Sequence, residues 1–280
     1  MTLRRPVARP FIAALAVLGA LLCAPLAAAA PQHTQSASAS GVTATFTFRG
    51  SPPAVSGAHL KITRDGRTAY DAPVTARLCG RSCDPGALGG RNASSVGIVP
   101  LLPGSPQIVL ELYSGGANCC FIDQVFRYDP GTMTYVKTER AFPYAGATIK
   151  RINGQYRFLS ADDNFKYAFT DGADSGEPIQ IWRFTTGGFV DVTRHYPGLI
   201  RKDAAFWLRL FRHHVSNGLG LIAAWAADQE LLGHDRLVQA TLKAELARGD
   251  LRAPSGGYFA GGAKFVRALN HLLVKLGYKR

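Results

Sequence analysis

Alternating apolar and polar positions dominate the chain as far as Pro197. Residues Val42 to Phe48 alternate with a period of two, as in a strand that buries one face. Short runs on either side of Asp65-Gly66, and again of Asn153-Gly154, have the pattern of two-residue β-hairpins. Residues 42–197 are therefore predicted to form a β-rich domain of short antiparallel strands.

A four-residue motif, which we call the repeated phrase, occurs twice in this β-rich region. Val125-Phe126-Arg127-Tyr128 precedes a turn and a strand, and Ile181-Trp182-Arg183-Phe184 precedes another turn and strand. Units of four short strands that repeat about every fifty residues are typical of propeller blades. About three such units fit, whereas a closed propeller needs about four or more. We expect an open or partial propeller-like arrangement, with sandwich-like packing as the alternative.

The pattern becomes helical after Pro197. Apolar residues recur at helical spacing in four segments, and Gly218, Gly233, Gly249 and Gly277 follow their ends as stop signals. Residues 198–280 are predicted to form a small helical domain of four helices. The fold class expected for the whole chain is therefore α+β.

The N-terminal residues have the pattern of a secretory signal. Arg4, Arg5 and Arg9 precede an apolar run, and a stretch of alanines ends at Ala30. Residues 1–30 are assigned to this signal peptide, whose apolar run is too short to span a bilayer. We expect a secreted protein, extracellular or associated with the cell wall, with no stable membrane span after cleavage. The small polar residues 31–41 are predicted to form a disordered linker.

The balance of charge is strongly basic. The net charge is +13, and removal of the three arginines of the signal leaves about +10 on the exported chain. Such a surface attracts anionic cell-wall polymers, although it is also compatible with a soluble surface that is merely basic. The chain has no run of five like charges and no basic stripe with interleaved aromatic residues, which, together with export, argues against nucleic acid.

Four cysteines remain after export: Cys79, Cys83, Cys119 and Cys120. In an oxidising compartment an even number indicates two disulfides. Loop entropy favours cross-links between the two pairs, because the longer loops are stabilised more. Local Cys79–Cys83 and Cys119–Cys120 bonds are the second possibility, and a zinc site is the third.

Two acidic loops are candidates for a calcium site. They contain Asp162 and Asp163 in one loop and Asp171 and Asp174 in the other. Oxygen-rich loops between strands can bind calcium, although the chain lacks the twelve-residue ligand pattern and solvated turns explain the same residues. No other cofactor is expected.

The remaining chemistry-bearing residues carry weaker signals. His213-His214 lies on the first predicted helix, and Asp228 and Glu230 lie on the second, so neighbouring helices can bring these groups together. Ordinary helix surfaces are the favoured explanation, because no metalloprotease motif is present. Arg127 and Arg183, within the repeated phrase, are expected to stack or pair at the sheet face, with a ligand role as the alternative.

The segment from Leu110 to Phe121 resembles a known group of proteins. With its strand, Tyr113-Ser114-Gly115-Gly116-Ala117 and the cysteine pair, it is similar to uncharacterised secreted bacterial proteins that carry FG-GAP-like repeats. The stretch from Phe158 to Thr193 resembles the same group. Members have His in the place of Asn118, and an acidic loop where this chain has the prolines and leucines of residues 100–106. The resemblance implies a propeller-type architecture and export, and no activity.

These observations favour an exported, non-catalytic binding or structural module of the cell envelope or extracellular space. Its partner is expected to be an anionic cell-wall polymer or another extracellular protein. The alternative is a secreted hydrolase whose groups converge from separate loops, with Asp162-Asp163 and His213-His214 as the candidates.

Overall fold

The computed structural model describes residues 30–90, 93–116, 119–143, 146–213, 218–253 and 258–279. The predicted signal peptide lies outside them except for Ala30. The strands are β1 Gln32–Ala39, β2 Val42–Arg49, β3 Ser56–Arg64, β4 Arg67–Pro73, β5 Asp84–Pro85, β6 Val96–Val99, β7 Gln107–Gly116, β8 Cys119–Asp129, β9 Thr134–Pro143, β10 Thr148–Ile152, β11 Gln155–Ala161, β12 Ile179–Thr185 and β13 Gly188–Asp191. The helices are α1 Pro197–His213, α2 Leu219–Leu231, α3 Asp235–Arg248 and α4 Gly262–Lys275.

The strands of the described residues form three antiparallel sheets. Strands β1 to β4 make the first sheet in sequence order, and β10 to β13 make the third in the same way. In the second sheet β7, β8 and β9 are neighbours, and both β5 and β6 pair with β7. Hairpin connections between consecutive strands account for this order. The predicted α+β class is confirmed, and the chain from Pro31 to Arg280 forms one compact unit.

The prediction of a disordered linker over residues 31–41 is wrong. Gln32–Ala39 pairs with β2 along its whole length, from Gln32 opposite Arg49 to Ala39 opposite Val42. The strand lies at the edge of its sheet and is mostly exposed, so it needs no apolar alternation. Backbone ladder bonds and a contact of 2.9 Å between the hydroxyls of Ser38 and Thr43 hold it instead.

Both predicted two-residue hairpins are confirmed. Asp65-Gly66 joins β3 to β4, and Asn153-Gly154 joins β10 to β11. All four residues have positive φ, with values of 49° at each first residue. This is the backbone of the hairpin turn that follows the right-handed twist of the strands, which is why the signal was visible in the sequence.

The repeated phrase falls on equivalent strands. Val125 to Tyr128 lies in β8 and Ile181 to Phe184 in β12, each the third of four consecutive strands from β6 and from β10. Val125 and Ile181 are fully buried, whereas Arg183 is exposed. The same phrase therefore performs the same structural task in two successive sheets.

The helices pack around α2. Eleven of its thirteen residues are buried, so it is apolar on every side rather than amphipathic. The cluster that surrounds it takes residues from all four helices and also includes Phe165 and Phe169. The alternation of Phe165, Tyr167 and Phe169 predicts a strand, and this prediction is wrong: Asp163–Phe165 is a short 3-10 helix. Packing of both phenylalanines against helices outweighs the period-two pattern.

Among the described residues, no helix combines the length and the apolar character required to cross a bilayer.

Candidate functional site

Two adjoining cavities lie beside the segment from Pro100 to Ser105. They have volumes of about 680 and 460 Å³ and share Leu102, Pro103 and Thr186 in their walls. The larger cavity reaches the β10–β11 hairpin and the end of β12, and the smaller one reaches the end of β8. Through these shared residues they form one groove, whose walls include residues from strands of all three sheets.

Arginines are the charged residues of this groove. The lining of the two cavities contains no Asp or Glu. We call it the arginine groove; its five arginines are Arg64, Arg127, Arg151, Arg157 and Arg183. Five like charges repel one another, so the arrangement is stable only with counter-ions or with partners for each guanidinium.

Arg157 is held rigidly at the larger cavity. Its side chain is buried and donates to the hydroxyl of Tyr196 at 2.5 Å, to the carbonyl of Tyr156 at 2.7 Å and to the side-chain oxygen of Gln155. Arg151 and Arg183 are exposed, and Arg151 donates to the carbonyl of Gly154 at 3.1 Å. Neutral acceptors hold the guanidinium groups of Arg157 and Arg151, so their positive charge is not cancelled.

The smaller cavity is built from β3 and β8. Arg127 donates to the carbonyl of Tyr128 at 3.3 Å, and the guanidinium of Arg64 lies over the Tyr128 ring, 4.5 Å from its centre. Arg64 also makes a long ion pair of 3.8 Å with Asp65, which is exposed. An exposed pair of this length contributes little, so Arg64 retains most of its attraction for anions.

Gln107 fixes the wall of the groove. Its side chain is buried, accepts a hydrogen bond from the backbone of Leu102 at 2.8 Å and donates to the carbonyl of Ser105 at 2.5 Å. The wall thus keeps its shape although it is rich in proline and apolar residues. The wall contains no Asp or Glu, so it adds no negative charge.

The groove is suited to binding anionic groups. A guanidinium presents several N–H donors in a planar fork, which matches the oxygens of phosphate and carboxylate groups. The lining contains no His, Cys, Asp or Glu that can act as a base or nucleophile. Sequence reasoning gave Arg127 and Arg183 a ligand role only as the alternative. The recurrence of an arginine at the same position of the repeated phrase was the available signal.

The predicted calcium residues lie in two places. Asp162 is buried and accepts hydrogen bonds from Tyr278 at 2.9 Å and from the Asn164 side chain at 2.6 Å, and Asp163 begins the 3-10 helix. Asp171 accepts from the backbone of Ala173 and of Asp174, as in a turn. The described part of the chain has no group of three or more His, Cys, Asp or Glu arranged to hold a metal ion. Calcium stays a sequence prediction.

Asp203 and Asp228 form a carboxyl pair between α1 and α2, in which Asp228 is completely buried and Asp203 partly buried. Asp203 lies inside α1 and accepts from the backbone of Ile179 at 3.0 Å and from Trp207 at 2.9 Å. Burial raises the pKa of Asp228 to about 10, and the charge of the neighbouring Asp203 acts in the same direction. One of the two carboxyls therefore carries a proton at neutral pH.

The helices do not bring His213 to Asp228. Asp228 faces Asp203, and His213 lies ten residues beyond Asp203 on the same helix. With a rise of about 1.5 Å per residue, the separation along the axis is about 15 Å. Glu230 is buried on α2, and His214 lies outside the described residues. The described geometry thus assembles no hydrolytic site from these groups.

The cysteines pair locally, so the favoured cross-links between the two pairs are wrong. The disulfides are Cys79–Cys83 and Cys119–Cys120. The two pairs lie on different elements: Cys83 directly precedes β5, whereas Cys119 and Cys120 open β8. The strand register therefore outweighs the small entropic advantage of a longer loop.

The chain is similar to a protein of Synechocystis sp. described as a probable thylakoid lumen protein. The two are 26% identical over 137 residues, which make up 46% of this chain and 40% of the relative. The chain therefore spans about two fifths of the length of that relative. No family model and no solved structure matches the chain.

Proposed function

We propose that the chain is an exported, non-catalytic binding module that holds an anionic polymer in its arginine groove. The observation that carries this proposal is the groove itself, with five arginines and no carboxylate in its lining. Each guanidinium offers paired N–H donors to a phosphate or carboxylate, and a linear groove presents several of them to consecutive units of a polymer.

The overall charge supports the same ligand. The net charge of about +10 on the exported chain attracts polyanions over a distance, and the groove concentrates this potential between low-dielectric walls. Arg157 is already locked by three acceptors, so binding costs little side-chain entropy at that point. Arg157 is thus a fixed positive charge, whereas the exposed side chains of Arg151 and Arg183 can adjust their positions. This combination suits a polymer that presents anionic groups at repeated intervals.

Export is proposed on independent grounds. The first thirty residues have the composition of a secretory signal, and two disulfides are typical of an oxidising compartment. The relative in Synechocystis carries the name of a lumen protein, and a lumen is a compartment reached by export. We therefore place the protein in the cell envelope or outside the cell.

The architecture proposed for the β-rich region is a partial propeller with blades of the FG-GAP-like kind. Three successive antiparallel sheets, each built around a meander of consecutive strands, support it. The arginine groove lies where residues of these units meet, and ligand sites commonly lie at such junctions.

Sedimentation with insoluble anionic cell-wall material tests the proposed ligand. The protein is expected to bind at low salt and to be released as the salt concentration rises, because salt screens charge attraction over about 10 Å at 0.1 M. Binding that survives high salt, or binding to an acidic protein surface but not to the polymer, would contradict a polyanion ligand.

A further inference from the structure

Arg157, which lines the larger cavity of the arginine groove, is a buried cation held by neutral groups. The residue is 6% exposed, and its acceptors are the hydroxyl of Tyr196, the carbonyl of Tyr156 and the side-chain oxygen of Gln155. The ion pairs of the described residues do not include it. Because buried charges in proteins are normally paired, this guanidinium indicates an anion that comes from a ligand.

Two further cations lie beside Arg157 on the sheet. Lys150 on β10 is directly opposite it in register, and directly opposed like charges destabilise a sheet. On the other side, the register of β11 and β12 ends with Phe158 opposite Trp182, and the next residues on these strands are Arg157 and Arg183. Since side chains alternate between the faces of a strand, all three cations belong to one face of the sheet. Such a row is stabilised by an anion.

Two of these three cations can contact a ligand in the groove. Arg157 and Arg183 line the larger cavity, whereas Lys150 is not in its wall and adds charge only from a distance. A guanidinium has five N–H donors, and three of those of Arg157 meet the acceptors named above, so two remain for a ligand. Arg183 is exposed, and its side chain is free to turn towards the same ligand.

Resting on the proposed function of the arginine groove, we propose that its polymer is a phosphodiester, and that Arg157 and Arg183 hold one phosphate group between them. The oxygens of a phosphate surround the phosphorus tetrahedrally, so guanidinium groups from two strands reach it from different directions. The two oxygens of a carboxylate lie in one plane, and a single guanidinium fork occupies both of them. Two neighbouring arginines therefore favour phosphate over carboxylate.

The rest of the groove indicates how the phosphates are spaced. Arg64 and Arg127 line the smaller cavity, and the other three arginines line the larger one. The residues that the two cavities share, Leu102, Pro103 and Thr186, carry no charge. The groove thus has two positively charged regions with an uncharged wall between them. This arrangement matches a polymer in which uncharged linkers, such as glycerol, join successive phosphates.

Calorimetric titration of the purified protein with soluble poly(glycerol phosphate) and with polygalacturonate, at the same ionic strength, tests this preference. Both polymers carry one negative charge in each repeat, so charge attraction alone predicts similar affinities per repeat. We expect poly(glycerol phosphate) to bind at least about tenfold more tightly. Equal affinities overturn the phosphate preference but leave the groove as a site for polyanions. If neither polymer binds at low salt, the proposed function itself is wrong.

Two matched variants assign the preference to the groove. Arg183→Lys keeps the positive charge but removes the planar fork, so the preference for poly(glycerol phosphate) is expected to fall at least about threefold while polygalacturonate binding changes little. Arg201→Lys makes the same change on the exposed surface of α1, outside the groove, and is expected to leave both affinities unchanged. An unchanged preference in Arg183→Lys overturns the proposed phosphate site.

Vesicles separate a polymer from a membrane as the source of phosphate. Phosphatidylglycerol carries the same phosphodiester on a lipid surface, and we expect soluble poly(glycerol phosphate) to compete with such vesicles for the protein. Binding to phosphatidylglycerol vesicles, together with no binding to the soluble polymer, would overturn the assignment of a polymer ligand.

Discussion

At the scale of single residues, the carboxyl pair of Asp203 and Asp228 links stability to pH. In the unfolded chain Asp228 loses its proton near its ordinary pKa of 3.8, whereas in the folded chain it holds the proton up to about pH 10. The folded state therefore binds more protons between these values, and the free energy of unfolding falls as the pH rises through this window. This contribution is fully present below pH 3.8.

The matching prediction concerns Asp228→Asn. The amide mimics the protonated carboxyl but cannot lose a proton. In the variant, the free energy of unfolding is therefore expected to fall less steeply with rising pH, by about 1.4 kcal/mol per pH unit, the value for one proton. Urea unfolding at pH 5, 7 and 8.5 measures the slope, with the surface variant Asp71→Asn as the control. If Asp228→Asn and the wild type show the same slope, the assignment of the buried proton is wrong.

The disulfides differ in what they stabilise. Cys79–Cys83 closes a loop of five residues, for which chain entropy gives about 2 kcal/mol. Cys119–Cys120 joins neighbours in the sequence and closes no loop around other residues. We expect the double replacement Cys79→Ala with Cys83→Ala to cost about 2 kcal/mol or more, because Cys83 is also buried, and the replacement of Cys119 and Cys120 to cost less. Chemical denaturation under oxidising conditions compares the two; the opposite order would contradict this explanation.

At the scale of elements, the packing of α2 depends on the close approach of a neighbouring loop to its first turn. Gly220 occupies its first turn, where a Cβ would lie 2.7 Å from the Thr170 side chain and 2.8 Å from the carbonyl of Asp174. Gly198 occupies the same position in α1 and has open space around it. The two glycines are thus matched in helix position but not in packing.

Replacement of each glycine by alanine separates packing from helix propensity. Gly220→Ala is expected to destabilise the protein by about 1–3 kcal/mol, because the loop that contains Thr170 must move. Gly198→Ala is expected to be neutral or to stabilise by up to about 1 kcal/mol, as alanine favours the helix. Thermal unfolding measures both. Equal effects of the two substitutions would show that α2 does not depend on this close approach.

The elements also show what was predictable from the sequence. The Asp65-Gly66 and Asn153-Gly154 hairpins were predictable because two adjacent residues determine their backbone. Strand β1 was not, since an edge strand of serines and alanines is held by pairing with β2, which leaves no hydrophobic pattern. Phe165 was misassigned because its alternation with neighbours looked like a strand, while its side chain packs against the helices.

At the scale of the whole molecule, the arginine groove was outside the reach of local patterns. Its members come from β3, β8, β10, β11 and β12, and only the fold brings them together. The sequence offered one indirect signal, the arginine at the same position of each repeated phrase.

The most direct test of the proposed function changes charge inside and outside the arginine groove by the same amount. One variant carries Arg151→Glu and Arg183→Glu, both exposed in the groove, and the other carries Arg201→Glu and Lys202→Glu, both exposed on α1. Each lowers the net charge by four. If the groove binds the polymer, the first variant loses sedimentation with anionic cell wall at low salt, while the second retains most of it. Equal losses in the two variants would show that net charge alone attracts the polymer, and would contradict a binding site in the groove.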